Sequence, residues 1–80
     1  MKMCDIALGH DVAVISVGGE GRERSRLLDL GFVRGTKVKA IGSAPGGDPM
    51  EFSLRGYNVI LRRSTAALVE AEPCGKERTR

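Results

Sequence analysis

The apolar positions of the chain change their spacing several times, and most of the changes fall at a glycine or a proline. Residues 10–17, between Gly9 and Gly18, are rich in β-branched side chains and too few for a stable helix, which predicts a strand. With a period of two, Val12 and Val14 share one face of it. Ile15 and Val17 share the other unless a bulge shifts the register. From Gly21 to Leu30 the pattern becomes helical, and Gly31 is placed as a left-handed C-terminal cap. Leu27 and Leu30, three apart, lie over one core and leave Arg22, Glu23 and Arg26 to solvent. Leu28 sits about 100° round from Leu27 by the helical pitch, at the edge of the buried stripe.

Phe32-Val33-Arg34-Gly35 predicts a turn, and residues 36–41 alternate as a half-buried strand does, with Val38, Ala40 and Ile41 in the sheet wall. In Ser43-Ala44-Pro45-Gly46-Gly47-Asp48-Pro49 the prolines fix φ and the glycines permit positive φ, so this loop is ordered by its own backbone chemistry, with Asp48 extended ahead of Pro49. Residues 50–54 alternate again, Arg55-Gly56-Tyr57 turns and residues 58–62 return, which is a hairpin signal. Ser64 is placed as the cap of a short helical turn over residues 65–68, residues 69–72 add a closing strand, and Pro73 ends the ordered chain. The predicted fold is mainly β: a small barrel of about five strands with one α-helix inserted after the first strand, its closure removing exposed edges. Residues 1–74 make a single domain and residues 75–80 a disordered basic tail.

Composition agrees with a folded module, with 41% hydrophobic and 29% charged residues among 80. The formal net charge of +3 suggests nucleic acid until its distribution is considered: Lys76, Arg78 and Arg80 against Glu77 put +2 in the tail and leave +1 for the body. A duplex binder needs a concentrated basic face, so no nucleic-acid partner is expected. Phe32, Phe52 and Tyr57 are the only aromatic residues, too few for a single-strand stacking platform. No apolar run is long enough to enter a bilayer, and no secretory leader is evident, which predicts a reduced, cytoplasmic protein without direct membrane insertion.

Catalytic patterns are missing. Gly31 to Gly35-Thr36-Lys37 has neither the spacing nor the order of a phosphate-binding loop, and Gly19-Glu20-Gly21 is followed by Arg24 where a dinucleotide fingerprint needs its third glycine. A single histidine, His10, offers little to nucleophilic catalysis, and Asp29, Asp48, Glu51 and Glu70 read as solvated or turn residues. The chain is therefore expected not to be an enzyme. Cys4, His10 and Cys74 are weak candidates for a transition-metal site if the termini meet, but they lack ligand spacing, so no tightly bound cofactor is expected.

Three pieces stand in order: Arg26-Leu27-Leu28-Asp29-Leu30-Gly31-Phe32 with Gly35, then Ala44-Pro45 with Gly47-Asp48-Pro49, then Leu54-Arg55-Gly56-Tyr57 with Leu61-Arg62. Together, over about residues 8–72, they resemble the FeoA family, ferrous iron transport protein A. The resemblance implies an SH3-like fold and a cytosolic accessory role in iron transport through protein–protein binding to the cytoplasmic face of FeoB, the ferrous iron transporter with a GTP-binding domain. It points to Leu27, Leu28 and Leu30 of the helix and to Ala44, Pro45, Asp48 and Pro49 of the loop as partner-binding residues, where the plainer reading is core leucines and a structural turn. It also implies a loose family description as transition-metal (ferrous iron) binding, which no ligand spacing here supports, and it leaves room for weak self-association. The alternative is a regulatory SH3-like module related to the C-terminal domain of metal-dependent transcriptional repressors, although this chain carries no helix-turn-helix of its own.

Overall fold

In the computed structural model, which describes residues 1–74, the elements follow in chain order. They are strand β1 (Asp11–Val17), helix α1 (Gly21–Leu30), strands β2 (Lys37–Ser43), β3 (Met50–Leu54) and β4 (Tyr57–Leu61), the one-turn helix α2 (Arg63–Ala66) and strand β5 (Val69–Pro73). The tail expected at residues 75–80 lies outside the described residues. The strands form one antiparallel sheet in the order β4-β3-β2-β1-β5. Alternate residues of its strands supply the core: Val12 and Val14, Val38 and Ala40, Met50, Phe52 and Leu54, Val69 and Ala71. Leu27 and Phe32 close over them from the helix. Each large side chain so buried stabilises the fold by roughly 1.5–3 kcal/mol.

Register shifts interrupt β1 between Val14 and Ser16 and β2 between Ala40 and Gly42. The first is the bulge that the Ile15 and Val17 pattern allowed. The second falls at Ile41, where an expectation is corrected: Ile41 is not in the buried wall but 40% exposed. By the period of two Ile41 shares the outer face with Lys37 and Lys39, while Val38 and Ala40 keep the core face. Among the described residues no ladder joins β4 to β5, so the hydrogen-bonded closure of a full barrel is not made.

The edge of β5 is covered instead by the start of the chain. Lys2 bridges to Glu70, the Ala71 N–H donates to the Met1 carbonyl at 2.7 Å, and the terminal ammonium donates to Glu70 Oε2 at 2.8 Å. A 3-10 turn, Met3–Asp5, then drops Met3 and Ile6 into the core. Pro73 pairs with Val12, so β5 runs one residue beyond the strand expected over residues 69–72.

Helix α1 has the predicted bounds, and Gly31 has the left-handed φ of 108°. The Phe32 N–H reaches the Leu27 carbonyl at 3.1 Å and the Gly31 N–H reaches that of Leu28 at 3.0 Å, a Schellman end. Helix α2 departs from expectation. Arg62 is still extended, so the first helical residue is Arg63, and Ser64 makes no capping bond. The orphan N–H of Arg63 donates to Asp48 Oδ1 at 3.0 Å.

Candidate docking surface

Helix α1 carries its polar residues outward and is tied to the rest of the fold at both ends. Near its start Arg24 Nε donates to the Val17 carbonyl at 3.2 Å, and the Thr65 hydroxyl of α2 donates to Glu23 Oε2 at 3.0 Å. At its end the Tyr57 hydroxyl donates to the Leu30 carbonyl. Gly31 belongs to this second tie, because a Cβ there would lie 2.9 Å from Arg55 Cδ and 3.0 Å from the Tyr57 hydroxyl oxygen.

Between the two ties runs a groove of about 500 Å³, with Leu27, Leu30 and Leu61 among its lining residues and Ile60, Arg22, Arg26 and Arg62 along its walls. The three leucines expected to bind a partner divide here. Leu27 is 1% exposed and is a core residue that reaches the groove only as floor. Leu30 is half-buried and lines the groove, whereas Leu28, also half-buried, does not.

The loop follows its predicted chemistry. Pro45–Gly47 forms a 3-10 turn in which Gly46 and Gly47 take φ of 89° and 87°, and Asp48 is extended. Pro45, Asp48 and Pro49 are exposed and Ala44 is half-buried. Asp48 holds α2 as described, and Arg63 Nη1 donates to the Gly47 carbonyl at 3.5 Å. The loop therefore adjoins the helix whose Thr65, with the preceding Arg62, lines the groove. Loop, α2 and α1 form a continuous surface from segments far apart in the chain.

Ile60, 64% exposed, is the surface residue that pattern reading missed. The signal was present: Val59-Ile60-Leu61 is an unbroken apolar run, and a strand with a period of two must turn one of the three outward.

The candidate ligands near the termini come only partly together. His10 and Cys74 line one hollow of about 490 Å³ with Asp5 and Asp11, while Cys4 lies outside it, its thiol 3.7 Å from Asp5 Oδ1. Among the described residues no three His, Cys, Asp or Glu side chains are grouped to hold a metal ion.

Residues 1–73 match the model of the FeoA domain. The chain belongs to the FeoA domain family. It is 36% identical over 72 residues to the Fe(2+) transport protein A/Fe(2+) transporter FeoB fusion protein of Porphyromonas gingivalis, covering 90% of this chain but only 8% of the fusion. The solution structure of FeoA from Chlorobium tepidum superposes with a TM-score of 0.88 at 35% identity, over 99% of this chain and 75% of that one. The zinc-complexed FeoA of Stenotrophomonas maltophilia, described as a prokaryotic SH3 domain protein, gives 0.82 at 29% identity, over 90% and 89% of the two chains. A manganese-dependent transcriptional repressor gives 0.79 at 8% identity, over 91% of this chain and 40% of that one, a likeness of fold alone. The fold of the FeoA-family chain is accordingly the small, mainly β, SH3-like one. No helix among its described residues is long and apolar enough to cross a membrane.

Proposed function

We propose that this FeoA-family chain is a cytoplasmic accessory of ferrous iron transport, which acts by docking on a FeoB-type transporter and performs no catalysis of its own. The observation that carries the reading is the Porphyromonas gingivalis relative, in which one polypeptide joins a homologous domain to the transporter. A covalent link holds two modules at high effective concentration, an arrangement suited to parts that work in contact. The continuous surface of α1, α2 and the loop at residues 44–49 supports it, with Leu28, Leu30, Pro45 and Pro49 as accessible apolar contacts.

The test is retention of the chain on an immobilised cytoplasmic domain of the FeoB-type transporter from the same organism. The wild type is retained, and Leu28→Asp, checked by circular dichroism to be folded, is washed off. A wild-type chain that is not retained contradicts the reading. The regulatory alternative draws only on likeness of fold, and fold does not carry function with it.

A further inference from the structure

We infer that the groove between α1 and β4 receives an acidic segment of the partner that presents apolar side chains to its floor. This rests on the docking reading above and names the chemistry of what docks. Arg22, Arg26 and Arg62 are all exposed along the groove. None of the three pairs with an acidic group among the described residues, whose ion pairs are those of the terminal ammonium with Glu70 and of Arg63 with Asp5. Glu23, the acid that lines the groove, accepts from the neutral Thr65 hydroxyl, so one carboxylate stands against three guanidinium groups there. Three guanidinium groups therefore face solvent around an apolar strip, and a guanidinium fork matches a carboxylate best.

Arg22 and Arg26 are four residues apart, about 6 Å along the helix axis, a spacing that carboxylates one helical turn apart on a partner would match. Leu30, Leu61 and the largely exposed Ile60 supply the apolar contact. The groove is also preformed. The Thr65–Glu23 and Tyr57–Leu30 bonds fix the helix at both ends, so little ordering opposes binding. A single-stranded nucleic acid would want aromatic faces that the groove lacks, and a duplex a broader basic face than three arginines beside Glu23. A second copy docked symmetrically would set the arginines of one chain against those of the other.

The test uses the full ¹⁵N-labelled chain and a synthetic amphipathic helical peptide with leucines on one face and flanking glutamates, compared with the same peptide carrying glutamines. Amide shifts are expected at Arg22, Arg26, Leu30, Ile60, Arg62 and Thr65. Affinity should fall by about tenfold or more for the glutamine peptide and for Arg22→Glu with Arg26→Glu, and should weaken with added salt. Ile60→Ser, an exposed change that leaves the charges intact, should weaken binding of both peptides. Shifts centred elsewhere, equal affinity for the two peptides, or variants that bind like the wild type overturn the inference. The transporter domain run in the same assay separates the two readings. If it binds the arginine variant as tightly as the wild type, the groove assignment fails while docking stands. If it does not bind although the acidic peptide occupies the groove, docking fails while the groove assignment stands.

Discussion

At the β5 edge of the sheet, Lys2 and Met1 add backbone pairing to Glu70 and Ala71, and the turn that follows buries Met3 completely. At the β4 edge no such segment is added among the described residues, and Ile60 stands 64% exposed beside a groove walled by three arginines. Uncovered sheet edges invite unwanted pairing, and folded proteins usually cover them or place charge there. The chain does the first at the β5 edge, whereas β4 itself carries no charged residue and has Arg62 and the arginines of α1 beside it. Residues at the covered edge are packed into the fold, and those at the open edge are the ones that the proposed docking would use.

The sharpest way to break this contrast is to compare substitutions at the two edges in urea unfolding. Met3→Ala removes a fully buried side chain and should lower stability by about 2–5 kcal/mol. A loss near zero would mean that the N-terminal turn is an ornament rather than part of the core. Gly31→Ala comes next, at about 1–3 kcal/mol, because its φ of 108° is strained for a side chain and the added Cβ meets Arg55 and Tyr57. It should also disturb the groove end that Tyr57 ties down, visible as shifted amide resonances at Leu30 and Phe32. Asp48→Ala removes the acceptor of the Arg63 N–H and should lower stability by about 1 kcal/mol, read as a lower denaturation midpoint. Ile60→Ser should change stability by less than about 0.5 kcal/mol, since its side chain is mostly in water already. A large loss there would make the open edge structural too.

Local chemistry explains which parts were legible in the sequence. Helix α1 was readable to its last residue, because helix formers end at a glycine whose left-handed cap is a strong local signal. The strand Met50–Leu54 was equally clear from alternation, and the turn at Arg55 and Gly56, both with positive φ, marked the hairpin. Tyr57, expected in the turn, already pairs with Leu54, and the return strand ends at Leu61 rather than Arg62. What escaped were features set by distant contacts. Met3 and Ile6 precede any recognisable element, and it is packing against β5 and α2 that gives this segment a place. Ser64 looked like the cap of α2, yet the acceptor arrives from Asp48, fifteen residues before Arg63. Ile41 is a different case: strict alternation already puts it outward with Lys37 and Lys39, and only its apolar side chain suggested the wall. The groove was half legible: Leu30 came from helical spacing, but its opposite wall at Ile60, Leu61 and Arg62 exists only once β4 lies across from α1.

The most direct measurement is hydrogen exchange of the full chain with and without the cytoplasmic domain of a FeoB-type transporter. Slower exchange confined to residues 21–30 and 57–65, with residues 1–6 and 69–73 unchanged, is the result predicted for an open edge that docks and a covered edge that only folds. Protection centred on residues 1–6 and 69–73, with α1 and β4 unchanged, would contradict it.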